Sequence, residues 1–108
     1  MAYEGSKTIP ADKDSFLWMI DLLNEWQIDY RVEGGWGIDT LLGKQTREHR
    51  DIDIDFDASA EAELMEKLLE LGYQIITDER PTRVELYHPK HGFLDLQDRK
   101  STRLNSSH

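Results

Sequence analysis

The segment Arg50-Asp51-Ile52-Asp53-Ile54-Asp55-Phe56-Asp57 constrains this chain more than any other, because its polar and apolar residues alternate without a break from Asp51 onward. Successive side chains of a strand point to opposite faces, with same-face neighbours about 6.5–7 Å apart. Asp51–Asp57 therefore predicts a strand that sends Ile52, Ile54 and Phe56 into a core and all four aspartates onto the other face. Asp is disfavoured in strands, and aligned like charges repel. Such a row needs cations beside it, either basic side chains or a metal. Mg²⁺ prefers oxygen ligands, commonly one or two carboxylates together with substrate phosphates. The competing reading is a solvated edge strand whose charges keep the sheet from pairing with another molecule. A calcium loop is excluded: counting from Asp51, Phe56 stands where the sharp turn needs Gly, and Ala62 where the bidentate Glu belongs.

Around this strand the apolar period changes cleanly. Phe16, Ile20, Leu23 and Trp26 recur at helical spacing behind Asp12 and Asp14, which predicts a helix over Lys13–Trp26. Asp29–Glu33 alternates and predicts a short strand, broken by Gly34-Gly35. Trp36–Leu42 predicts a short helix stopped by Gly43. Ser59 is expected to cap a third helix, with Leu64, Met65, Leu68 and Leu71 as its apolar stripe and Gly72 as its stop. Tyr73–Thr77, Arg83–Tyr87 and Phe93–Leu96 are three more strands, the last two forming a hairpin through Pro89 and Gly92. The order α-β-α-β-α-β-β-β predicts an α+β domain, a small mixed sheet packed with helices.

At 108 residues the chain is the length of one domain with a thin core. Thirteen Lys and Arg against twenty-two Asp and Glu leave a formal charge of −9. That balance argues against binding duplex DNA or an anionic membrane, either of which needs a net basic face. No apolar run is long enough to span a bilayer, and Met1–Pro10 lacks the apolar core of a signal peptide. The absence of Cys excludes disulfides, thiolate metal sites and a Cys nucleophile, and the expected compartment is the cytoplasm. Residues 1–12 read as a loose lead-in and 13–97 as the domain. Residues 98–108 (DRKSTRLNSSH) are expected to be either a disordered tail or, the preferred reading, the in-frame translation of a library adapter.

Upstream of the acidic strand, a strand runs into Gly34-Gly35 and a helix follows. Backbone N–H groups at such a turn can face an anion, and glycine lets a phosphate approach the backbone. A phosphate cradle followed some fifteen residues later by Asp51-Ile52-Asp53 can place a metal-bridged triphosphate between the two. The run Glu33-Gly34-Gly35-Trp36-Gly37-Ile38-Asp39, with Leu42-Gly43-Lys44-Gln45-Thr46-Arg47-Glu48-His49-Arg50 and the acidic strand, closely resembles the antibiotic nucleotidyltransferases. The likeness is greatest to the small lincosamide nucleotidyltransferases. It extends more distantly to the aminoglycoside 2''-adenylyltransferases, all within the polymerase-β-like nucleotidyltransferase superfamily. It covers about Phe16 to Gln97. Gly35-Trp36 replaces the Gly-Ser of the wider superfamily, as is usual in the antibiotic-modifying branch.

The resemblance implies a nucleotidyltransferase fold, and Asp51 and Asp53 as the metal-binding pair. Asp95, in the strand Gly92-Phe93-Leu94-Asp95-Leu96, becomes the third carboxylate, a metal ligand or general base. Gly34 and Gly35 become the nucleotide-phosphate turn. Lys44, Arg47, His49 and Arg50 are candidates for phosphate contacts, with Lys44 and Arg50 taken into the nucleotide site; pairing with nearby acids competes for Lys44 and Arg47. The implied reaction uses two Mg²⁺ ions about 3.5–4 Å apart and a nucleoside triphosphate, ATP by expectation. It transfers NMP to a hydroxyl of a lincosamide-like or aminoglycoside antibiotic and releases pyrophosphate. The implied partners are the nucleotide and the drug, with no nucleic acid and no membrane, and room for a homodimer. Asp39 is expected in a local salt bridge, Asp55 and Asp57 to extend the field or face water, with Asp57 alternatively capping the helix start. Arg80 and Arg83 are expected either to supply further positive charge or to be solvated, and His88 and His91 to be non-catalytic. Relatives continue past the third-carboxylate strand, so the chain reads as truncated there. An antitoxin-like, partner-binding domain and an inactive fragment are the alternatives.

Overall fold

The hydrophobic alternation of the central strands decides the architecture. In the computed structural model, which describes residues 8–46, 48–80 and 82–98, three helices and five strands follow one another. They are α1 (Lys13–Glu25), β1 (Tyr30–Glu33), α2 (Gly34–Leu42), β2 (Asp51–Phe56), α3 (Glu61–Glu70), β3 (Gln74–Glu79), β4 (Arg83–His88) and β5 (Gly92–Asp98). The strands form one sheet in the order β1-β2-β5-β4-β3. Only β2 and β5 run parallel; the other neighbours are antiparallel. The expected mixed α+β sheet is therefore the observed one.

Ile52, Ile54, Leu94, Leu96, Val84 and Leu86 all point to one face, where none is more than 1% exposed. Phe16, Met19 and Leu23 of α1 and Leu64, Met65 and Leu68 of α3 close over them in one apolar cluster. Leu94 lies at the centre of that layer. Leu94→Ala is expected to cost roughly 2–5 kcal/mol, the range for a buried Leu left as a cavity, measured as a shift of the urea midpoint at unchanged slope.

Asp12 caps α1 by accepting from the Ser15 N–H at 2.8 Å. The end of the lead-in is not loose: Ala11 is fully buried and donates its N–H to the Arg50 carbonyl at 3.1 Å, a backbone bond that residue type alone does not announce. Gly34 and Gly35 do not precede α2 but form its first turn, so its N-terminal amides start at the strand's end. Ser59 does not cap α3. Asp57 accepts from the Ser59 N–H at 2.9 Å and caps a single 3₁₀ turn, Ala58–Ala60, that runs straight into the helix. Strand β5 extends through Asp98, one residue past the expected domain limit; Asp98 is buried and donates its N–H to the Thr82 carbonyl at 3.0 Å. The remainder of the expected tail, 99–108, lies outside the described residues, as does Arg47.

Candidate active site

The face opposite the core is polar because the strand register lines up acids across the sheet. Glu33, Asp53, Asp95 and Glu85 are successive Cα partners on β1, β2, β5 and β4. Asp51 sits one step along β2 on the same face. Carboxylate oxygens of Asp51, Asp53 and Asp95 lie within 4.8 Å of one another. The two strands carrying them are far apart in sequence, and their parallel pairing is what brings Asp95 beside Asp53.

Two guanidinium groups meet this charge. Arg83 donates to both oxygens of Asp95, at 3.3 and 2.7 Å. Arg50 donates to Asp51 at 3.2 Å and to Glu85 at 3.0 Å, with its guanidinium 3.8 Å above the Phe93 ring. They do not neutralise the site fully. Burial, then Asp51, then Asp95 push the Asp53 carboxyl up to about 7, against the pull of Arg83 and Arg50. Burial also raises Asp95, opposed by Arg83. Three hard oxygen donors this close together suit a divalent cation, which would relieve the repulsion that raises Asp53 and Asp95.

The glycine turn touches this trio. Gly34 has φ +69°, and a Cβ built there would lie only 2.0 Å from Asp53 Oδ2. The start of α2 and the Asp53 carboxylate are thus adjacent, with no side chain between them.

Other expected residues fall elsewhere. Lys44 follows α2 at its far end, and a nine-residue helix is about 13 Å long. It lines a shallow groove with Lys13, Phe16 and Trp36 and is not brought to the carboxylates. His49 does not face a phosphate site: it is buried and bonds through Nε2 to Asp39. Asp39 makes its expected local pairing, with the addition of Thr46, whose hydroxyl donates at 2.6 Å. The Thr46 hydroxyl first and His49 after it draw the Asp39 carboxyl down to about 2 despite burial. Asp55 does not face water. It is fully buried, 3.7 Å from the Arg31 guanidinium. Asp57 lies past the strand as a cap. Arg80 pairs with Asp78 on the surface, whereas Arg83, of the two open readings, reaches the carboxylates through Asp95. His88 and His91 pack with Trp18 and Tyr73. Reading the sequence missed Glu85 altogether and did not set Arg83 beside Asp95. Counting back through the β4–β5 hairpin would have found them, since 83, 85 and 87 must share a face with 93, 95 and 97.

With this geometry established, comparison with known proteins is decisive. Residues 16–102 match the family described as aminoglycoside-2''-adenylyltransferase. The chain belongs to that family. Among its relatives is the lincosamide resistance protein of Staphylococcus haemolyticus, 46% identical over 86 residues, which are 80% of this chain and 53% of that protein. A crystal structure of the lincosamide antibiotic adenylyltransferase LnuA with lincomycin bound is 41% identical, with a TM-score of 0.81 over 83% of this chain and 57% of that one. ANT(2'')-Ia is more distant: its solution structure is 26% identical with a TM-score of 0.68, over 79% of this chain and 45% of that one. Its complex with adenylyl-2''-tobramycin is also 26% identical, with a TM-score of 0.66, over 81% and 50% of the two chains. The chain thus spans about half the length of these family members. No helix among the described residues is long and apolar enough to cross a membrane.

Proposed function

We propose that this chain carries the catalytic half of an antibiotic O-nucleotidyltransferase, with 13–97 as the working unit. The reaction moves NMP from a nucleoside triphosphate, ATP by preference, to a hydroxyl of a lincosamide-like drug, in the cytoplasm. The observation that carries this reading is the contact of the Gly34 turn with Asp53 inside a trio of carboxylates spanning 4.8 Å.

Asp51, Asp53 and Asp95 would hold Mg²⁺, which when bound neutralises the triphosphate and the developing charge at the α-phosphorus. The N-terminal amides of α2, at Gly34 and Gly35, donate to phosphate oxygens. Arg50, held over Phe93 beside Asp51, supplies a further cation at the same edge. Asp95 takes the proton of the drug hydroxyl. The hydroxyl oxygen then bonds to the α-phosphorus as the bond to the bridging oxygen breaks, and pyrophosphate leaves with that electron pair. Arg83, bonded to Asp95, orients its carboxylate. Position and charge complementarity, more than covalent chemistry, supply the rate.

Label from α-labelled ATP is expected to appear in lincomycin when Mg²⁺ is present. Asp95→Asn should stop the transfer while leaving the circular dichroism spectrum unchanged. Transfer that survives Asp95→Asn would remove the base role, and a wild-type chain that neither transfers label nor binds Mg²⁺·ATP would remove the reading. A second reading, a non-catalytic partner-binding domain, draws on the exposed Ile38, Leu41 and Leu42 of α2. The carboxylate trio weighs against it, because a fold kept for docking alone has no need to hold three acids together.

A further inference from the structure

A buried polar network links the two parts of the site from behind. Asp39 on α2 is 3% exposed, and His49, two residues before Asp51, is 5% exposed. The Asp39 carboxylate bonds His49 Nε2 at 2.5 Å and accepts from the Thr46 backbone N–H at 3.0 Å. The Thr46 hydroxyl completes its set. The Asp39 backbone carbonyl accepts from the Lys44 N–H at 3.2 Å. On its other side the His49 ring meets Trp36 edge-on, with centroids 4.9 Å apart. It also presses on Gly35, where a Cβ would come within 2.4 Å of His49 Nδ1. The His49 backbone bridges to Ala11, which stands outside α2 and β2 altogether.

Without these bonds, α2 would be held in place mainly by apolar packing, such as Trp36 stacked on Phe16 of α1 at 4.6 Å. Apolar packing opposes separation but is non-directional. Hydrogen bonds are directional, so the Asp39 set fixes the turn of α2 about its axis and its distance from β2. A shift of about 1 Å between groups that must engage one ligand is enough to cost orders of magnitude in function.

We infer that Asp39 and His49, with Thr46, are positioning residues that hold the Gly34-Gly35 turn in register with Asp51 and Asp53, so that nucleotide phosphates meet the turn and the carboxylates together. This rests on the nucleotide-binding reading of the turn proposed above. Asp39 touches neither phosphate nor metal; it acts through the helix that carries the turn.

The test is calorimetric titration of the full chain with Mg²⁺ and a non-hydrolysable ATP analogue, at a temperature where circular dichroism shows each variant folded. Asp39→Asn keeps the volume but replaces the carboxylate, whose Oδ2 serves both His49 Nε2 and the Thr46 N–H and whose Oδ1 serves the Thr46 hydroxyl, with a neutral amide that has one acceptor oxygen. It is expected to weaken the analogue by roughly tenfold, the scale at which supporting residues act. Thr46→Val, on the loop surface, should weaken it less. His49→Gln, which retains an N–H donor, should bind better than His49→Ala. Mg²⁺ titrated without nucleotide should bind all of them as it binds the wild type. Folded Asp39→Asn and Thr46→Val chains within twofold of wild type for the analogue would overturn the inference, however far their melting temperatures fall. A parallel loss of Mg²⁺ affinity would overturn it too, since the defect would then lie in β2. If Asp39→Asn does not fold, Thr46→Val decides. A wild-type chain that fails to bind the analogue instead brings down the nucleotide reading itself.

Discussion

Asp53→Asn is expected to stabilise the ligand-free domain at pH 7 and, in the same molecule, to abolish its stabilisation by Mg²⁺·ATP. Burial and the neighbouring Asp51 and Asp95 raise the folded-state carboxyl to about 7 from an ordinary 3.8. An unfolded chain releases this proton near pH 4, whereas the folded chain keeps it until about pH 7. Between those values the unfolded state binds fewer protons, so the Asp53 contribution to stability falls as pH rises, and it levels off above 7. A shift of that size corresponds to roughly 4 kcal/mol. The site is partly open, so screening brings the expected gain in Asp53→Asn to about 2 kcal/mol at pH 7, vanishing near pH 4. Urea titrations of both proteins from pH 4 to pH 8 measure this difference. A constant difference across that range would mean that Asp53 ionises normally.

The second half of the result has the opposite sign. Bound at one hundred times its dissociation constant, Mg²⁺·ATP should stabilise the wild type by about 2.7 kcal/mol, a rise of on the order of 10 °C for a domain this size. Asp53→Asn should show no rise. A wild-type gain that survives the substitution excludes Asp53 as a metal ligand. More stable without ligand and deaf to it, the variant would separate the site's function from its structural cost.

Gly34→Ala is expected to destroy nucleotide binding, by two separable effects. The backbone at Gly34 lies at φ +69°, where a side chain costs roughly 1–2 kcal/mol. The added methyl would also lie 2.0 Å from Asp53 Oδ2 and 3.0 Å from Asp53 Cγ, so the carboxylate must leave its position in the trio. Affinity for Mg²⁺·ATP should fall by at least about a hundredfold. Gly43→Ala is the control: φ there is +78°, yet a Cβ would meet nothing within 4 Å. It should lose about 1 kcal/mol of stability and no affinity. If both variants bind Mg²⁺·ATP as the wild type does, the turn does not hold the phosphates.

Much of this molecule was legible because it depends on short-range order. The alternation Asp51-Ile52-Asp53-Ile54 specifies which side chains a pleated strand buries, whichever strands lie beside it. The spacing of Phe16 and Leu23, and of Leu64 and Leu68, does the same for the helices. The resemblance carried by Gly34-Gly35-Trp36 and the acidic strand pointed to Asp95, which the parallel pairing of β2 with β5 then set beside Asp53. Other residues were misread for definite reasons. Lys44 and His49 are near the acidic strand in sequence, but the segment joining α2 to β2 has no period to tell which way it turns. It folds back on Asp39, leaving one residue at the wrong end of the helix and the other inside the core. Asp55 repeats the pattern of Asp51 and Asp53, yet it is fully buried beside Arg31.

Residue order alone determined the strand faces, the helix stripes, the polarity of the sheet's two sides and the family, since each follows from periodicity or a contiguous motif. Only the tertiary structure decided that Arg83 and Glu85 join the carboxylates, that His49 braces α2, and that Gly34 abuts Asp53. Those relations join segments remote in sequence, and packing alone chooses among the pairings the pattern allows.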